Sequence, residues 1–463
     1  MRRTTLSIGV AGALALAAAA PAAAASPVAI EHRTLLVRGG AEADTIALEV
    51  PRSSPNVLRV DLGDDRYELK RSRFDRIRVE TGAGEDELRI EAPQLEPVTY
   101  AGGDGFDEVV AEGSNAGERF ELSVESGVER LAHERTRASL HGVEAVEAFA
   151  RGGSDTIEIA DLTGAELQSV TAELGTVRGF ESADGATDRV DVEATNAGDQ
   201  IVAFGTSDFV SVFGTPETVS IANPDPGDRL TIDGRGGDDT ISADSAISHA
   251  LYGGDGDDGL SGGPRRDLIV GGDGSDEAAG FGGDDEIDLG GGDDRSIWEP
   301  GNGDDEVDGG SGRDAMRVMG ADAPERFELL ATGGDLRVTR DLEAVAIDAE
   351  DVEDITTEAL GGADTIAVGD LRRTDVEQVH AALAAIGDSP DGAADRVVVN
   401  GTERRDAIAV SGTGRSATVA GLSALVAITQ AEPLDTLSLR TGAGQDTVDS
   451  SGLPAGIIEL VVD

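Results

Sequence analysis

The chain has no cysteine in its 463 residues, so disulfides are excluded as a stabilising device. Aromatic residues are only 3% of the total, too few for a core dominated by rings. Lysine is almost missing as well: Lys70 is the only one, and the formal net charge is −54. A surface that acidic is a poor match for nucleic acid, and no nucleic-acid partner is expected. Histidine is sparse. His32, His133, His141, His249 and His380 form no HExxH motif, and there is no GxSxG elbow, so neither a zinc protease nor a serine hydrolase is written here. The chain reads as a non-enzyme. What it has in quantity is glycine, 63 residues, and aspartate plus glutamate, 91 residues.

These residues are ordered. From Gly253 to Asp288 four nine-residue units run without a break, GGDGDDGLS, GGPRRDLIV, GGDGSDEAA and GFGGDDEID, each with aspartate at its sixth position. Continuing the register gives Asp239, Asp258, Asp267, Asp276, Asp285, Asp294, Asp305 and Asp314. The first step is two nonapeptides plus one residue, with Ser248 near the missing aspartate, and a two-residue insertion falls at Ile297-Trp298-Glu299. His249 and Trp298 are expected to fill loops of this region rather than to act as ligands.

In a unit GGxGxDxUx, glycine permits the positive dihedrals of a tight turn, the aspartate offers a hard oxygen, and the large apolar U points inward. This is the nonapeptide of a calcium-binding parallel β-roll. Calcium takes roughly six to eight oxygens, so one turn makes half a cage and the turn two units on supplies the rest. The expected pairs are Asp258 with Asp276, Asp267 with Asp285, Asp276 with Asp294, Asp285 with Asp305, and Asp294 with Asp314. Candidate metal-site glycines are Gly254, Gly256, Gly272, Gly274, Gly283, Gly292, Gly303 and Gly312. Ile241, Leu260, Ile269, Ile287, Val307 and Met316 should stack inward, with Ala278 and Ser296 as weak members. Residues 233–317 hold 23 acidic and 6 basic residues. Stacked carboxylates repel without a cation, so ordering of this block is expected to be coupled to calcium binding.

The flanks resemble each other at a nearly constant offset of 207 residues: ERFEL occurs at Glu118 and again at Glu325, and DRVDVEATNAGDQIVAFG from Asp188 matches DRVVVNGTERRDAIAVSG from Asp395. Their apolar/polar alternation followed by Gly or Asn predicts short strands and turns, an irregular β-solenoid. The expected organisation is a signal peptide at 1–25, an N-terminal solenoid segment at 26–112, copy one at 113–232, the roll at 233–317 and copy two at 318–463. Val376, Val379, Leu383 and Ile386 have helix-like spacing within 374–386, with a weaker counterpart at 166–174. Gly102 to Asp107 matches the acidic turn in full, and Asp44, Asp86, Asp155, Asp364, Asp406 and Asp446 end partial matches. Most lack a neighbour eighteen residues away and read as plain turns with a solvated aspartate.

Residues 1–25 read as an export signal: Arg2 and Arg3, an Ala/Leu-rich stretch from Leu6, Pro21, and an Ala-x-Ala site ending at Ala25. The mature chain is expected to start at Ser26, with no integral membrane segment and a secreted, extracellular location.

The block 233–317 resembles the RTX, or hemolysin-type, calcium-binding repeat family, most closely in GGDGDDGLS and GGDGSDEAA. The resemblance covers about a fifth of the chain, and the flanks look like those of exported actinobacterial RTX-like proteins. It implies a right-handed parallel β-roll, calcium between the turns and an extracellular setting. Arg265 and Phe281 stand at turn-glycine positions, and Leu289 and Pro300 replace first glycines, which weakens the match at those turns. The reading is an all-β, secreted, structural or adhesive calcium-binding protein with an unidentified cell-surface or matrix partner. The alternative is a carbohydrate lyase or epimerase on a parallel β-helix, for which Tyr67, Tyr100, Tyr252 and Trp298 are thin provision. A groove with converging arginine, tyrosine and carboxylates would favour the enzyme, and a filled thin roll the binding module.

Overall fold

Short segments of alternating polarity can bury one side only by stacking on copies of themselves, and that is how this chain folds. The computed structural model describes residues 26–463 except 93, 180–182, 386 and 388. The expected signal peptide, and Ile386 of the expected helix, lie outside the described residues. Over the described residues the protein is all-β, built from two long sheets of 22 and 21 strands. Among the described residues the only helical turn is Arg71–Arg73, and no helix is long and apolar enough to cross a membrane.

Within the roll the chain alternates between the sheets. Strands Ser248–Asp255, Leu268–Asp273, Glu286–Gly292 and Glu306–Asp308 stack in parallel in the first sheet, while Thr240–Asp244, Gly259–Ser261, Glu277–Ala279, Arg295–Trp298 and Ala315–Met319 stack in the second. Each strand turns alternate residues inward, which makes two apolar columns. Leu251, Ile269, Ile287, Val307 and Ala349 are in register in one, and Ile241, Leu260, Ala278, Ser296, Met316 and Ile355 in the other. All are buried, so the interior is filled.

The flanks continue both sheets but interrupt the parallel stacking with antiparallel excursions. In the first sheet the strands of Arg119–His141 and of Arg326–Glu350 each fold as three antiparallel strands before stacking resumes. In the second sheet Gln200–Ala222 and Ala407–Thr429 do the same. The duplication appears in the strand starts: Arg119, Arg189, Gln200, Phe209, Thr218 and Arg229 recur 207 residues on as Arg326, Arg396, Ala407, Ser416, Leu425 and Thr436.

The expected helix at 374–386 is replaced by the strand Gln378–Ala382, paired in parallel with Asp354–Glu358 and Leu425–Thr429. Val379 and Ala381 face inward at a spacing of two, while Val376 and Leu383 are buried in the flanking turns. Strand plus turn reproduced the helical spacing, and pairing with two neighbours decided the matter. The stretch 166–174 is corrected likewise, holding the strand Ser169–Glu173. His249 and Trp298 also lie in strands, fully or nearly fully buried, rather than filling loops.

Candidate functional site

Crossing from one sheet to the other requires a sharp turn every nine residues, and the turns form two columns along the edges of the roll. The conformation demands glycine. All eight candidate glycines, Gly254, Gly256, Gly272, Gly274, Gly283, Gly292, Gly303 and Gly312, have positive φ. At Gly292 a Cβ would sit 1.5 Å from the carbonyl oxygen of Gly274, so the turn carbonyls of one coil press directly on the next. The departures follow from the same geometry. Phe281 adopts φ 63° and remains exposed, whereas Leu289 stands where no positive φ is needed and is buried.

At the end of each turn the aspartate folds back beneath the strand that follows. Asp239, Asp258, Asp276, Asp294 and Asp314 form one column and Asp267, Asp285 and Asp305 the other, all nearly fully buried. Each amide donates to the Oδ1 of the aspartate one coil on: Asp258 to Asp276 (2.8 Å), Asp276 to Asp294 (2.7 Å) and Asp294 to Asp314 (2.8 Å) in the first column. In the second, Asp267 donates to Asp285 (2.8 Å) and Asp285 to Asp305 (3.0 Å). These are the five pairs drawn from the sequence. Two further links extend the columns: Asp239 donates to Asp258 across nineteen residues, and His249 fills the missing aspartate's place, donating its amide to Asp267 (2.7 Å).

Only one carboxylate oxygen is used this way. The Oδ2 atoms of Asp239, Asp258, Asp276, Asp285, Asp294 and Asp314 are buried without a hydrogen-bond partner, while Asp267 Oδ2 accepts from the Gly263 amide. Burial pushes the carboxyls up, to about 6 for Asp258 and Asp314 and about 7 for Asp285 and Asp305, against the opposing pull of the amide bond. An orphaned buried oxygen in every turn of a continuous column, next to stacked glycine carbonyls, is a donor set that fits a hard cation. Among the described residues no three Asp, Glu or His side chains converge as a ready-made metal centre, so main-chain oxygens would have to supply much of any coordination.

The expectation of solvated flank aspartates is overturned. Asp86, Asp107, Asp155, Asp364 and Asp406 are buried and carry the same joint: Asp86 donates to Asp107 (3.0 Å), Asp155 to Asp188 (2.7 Å), Asp364 to Asp395 (2.9 Å) and Asp406 to Asp446 (2.9 Å). Their partners lie 21, 33, 31 and 40 residues away because flank coils are longer. Sequence reasoning missed Asp188, Asp228, Asp395 and Asp435 as members. The signal was present in the aspartate that opens each Asp-Arg or Asp-Thr strand, in DRV, DRL and DTL. The turns 81–86 and 102–107 also share the glycine cradle: a Cβ on Gly105 would lie 1.7 Å from the Gly84 carbonyl, and Asp86 and Asp107 each leave Oδ2 unpartnered.

No protein-family model matches this chain, and no curated protein matches it in sequence.

Proposed function

We propose that residues 233–317 form an RTX-type, right-handed β-roll that binds calcium between turns one coil apart, in an exported structural or adhesive protein. The observation that carries this reading is the column of buried aspartates whose Oδ2 atoms have no partner beside stacked glycine carbonyls. Asp258, Asp267, Asp276, Asp285, Asp294, Asp305 and Asp314 would hold the ions with the turn main chain. Calcium would supply charge neutralisation, and the protein would supply a pre-spaced stack of turns. Without the cation, burial pushes the carboxyls of Asp285 and Asp305 up to about 7, so at neutral pH their charged forms are opposed by desolvation and by neighbouring aspartates. Metal binding and ordering are therefore one event, suited to a chain that meets calcium only outside the cell.

The filled interior of the roll supports a binding module over an enzyme. A groove joining arginine, tyrosine and carboxylates also exists on an outer sheet face, the feature that would favour the enzyme alternative. Calorimetric calcium titration, with Asp267→Asn and Asp285→Asn as variants, tests the reading. Each variant should lower the calcium stoichiometry. Unchanged stoichiometry in both, or identical circular dichroism of the parent in EDTA and millimolar calcium, would sink it.

A further inference from the structure

On the outer face of the first sheet, where copy one meets the roll, a groove of about 390 Å³ runs along the stack of strands. Its floor is set by register. Glu121, Glu158, Asp191 and Thr231 occupy one row on four adjacent parallel strands. Glu193, Asp233 and Tyr252 occupy a second row two residues along. Strands stand about 4.8 Å apart, so the five strands from Glu121 to Tyr252 span about 19 Å.

Several features distinguish this groove from a solvated acidic face. Thr231 is 6% exposed, and its hydroxyl, on the outward side of its strand among the groove residues, has no hydrogen-bond partner. Three of the acids are paired with guanidinium groups, of which Arg189 lines the groove: Arg119 pairs with Glu158, Arg189 with Asp191, and Arg235 lies 3.7 Å from Glu193. Tyr252, one of only three tyrosines in the chain, closes the far end.

The duplication supplies an internal control. In copy two the first row reads Glu328, Ala367, Val398 and Ser438, with Ala367 and Val398 buried where Glu158 and Asp191 are half-buried carboxylates. The fold does not require acids at those places, and copy one alone has them.

We infer that this groove binds a neutral oligosaccharide lying along the stack. Carboxylate acceptors beside the guanidinium donor of Arg189 match a ligand whose hydroxyls both donate and accept, Tyr252 places an aromatic ring at the end of the groove, and Thr231 gains a partner. A polyanionic glycan is disfavoured by the −54 charge of the chain. A polycation is disfavoured because the arginines already pair with three of the acids. The inference rests on the calcium reading only for the ordering of Asp233, Arg235 and Tyr252, which lie in 233–317, whereas the row Glu121, Glu158, Asp191 and Thr231 lies in copy one.

The test is calorimetric titration of the full chain, in calcium-containing buffer, with cellohexaose, mannohexaose and maltohexaose, and with spermine as the cationic competitor. At least one hexaose should bind. The double variant Glu158→Ala/Asp191→Val installs the residues that copy two carries, so it should keep the parent circular dichroism and bind at least tenfold more weakly. Tyr252→Ala should also weaken binding. Failure of all three hexaoses overturns the proposal, as does binding untouched by the double variant, or tighter binding of spermine than of any hexaose.

Discussion

The roll and its flanks are built with the same joint, an aspartate carboxylate accepting the amide of the preceding coil, yet they set it in different surroundings. In the roll, successive aspartates are 18 to 20 residues apart and their turns carry stacked positive-φ glycines. In copies one and two the spacing grows to between 31 and 40 residues, and antiparallel strands fill the longer coil. Large rings accompany the longer coils: Phe120 stacks on His133 at 4.2 Å, and Phe327 is fully buried beside the three-stranded excursion of copy two. The roll core is instead a single apolar side chain on several strands, Leu260 and Ala278 among them, with a large ring, Trp298, only where the coil is longer by two residues. A short coil leaves little apolar area to bury, so on the proposed calcium reading the roll would depend on neutralisation of its turns more than the flanks, which bury larger side chains.

The largest expected effect separates the two regions directly. In EDTA, amide hydrogen exchange should lose protection by orders of magnitude across 253–314 while the strands of 119–222 and 326–429 stay protected. Uniform loss, or none, would erase the distinction. Next, Phe327→Ala in the copy-two core should cost about 3–5 kcal/mol in calcium and in EDTA alike, because its packing does not involve the turns. A cost seen only in calcium would tie that flank to the metal.

Acidity gives a third comparison. In the flanks, burial raises the carboxyls of Asp155 to about 8 and of Asp188, Asp364 and Asp395 to about 7, from an ordinary 3.8. The folded chain then holds more protons than the unfolded chain between about pH 4 and 7, so stability is greatest near the acid end of that window and falls as pH rises through it. The metal-free protein should therefore melt at a higher temperature at pH 5 than at pH 8, and calcium should narrow or reverse the difference. A melting temperature that climbs with pH in EDTA would contradict this assignment.

Two smaller effects complete the series. Ser296→Ala removes a buried hydroxyl without a partner from the apolar column and should stabilise the roll by about 1 kcal/mol in denaturant melts. Asp364→Asn keeps an oxygen for the Glu325 amide and removes a carboxyl that burial pushes up to about 7, so it should raise the melting temperature in EDTA more at pH 8 than at pH 5 and leave calcium stoichiometry intact, unlike Asp285→Asn. A drop in stoichiometry would place a flank turn among the metal sites.

Much of this was legible in the residues. The sixth-position aspartates, the inward column from Ile241 to Met316 and the 207-residue duplication all have structural counterparts at the residues named. The flank joints were not, because Asp155 and Asp188 are 33 residues apart with other strands between them. Spacing also misled at Val376, Val379 and Leu383, where a strand and its turns imitate a helical period.

The sequence by itself determined which residues turn and which face inward, since glycine dihedrals and side-chain alternation are local properties. It determined stacking partners only where every coil has nearly the same length, as in the roll, because there distance along the chain converts into distance along the stack. The tertiary structure alone decided which flank aspartates meet, and that Glu121, Glu158, Asp191 and Thr231 share a row. Inserted antiparallel strands break the conversion, and neighbours are then chosen by sheet pairing and burial.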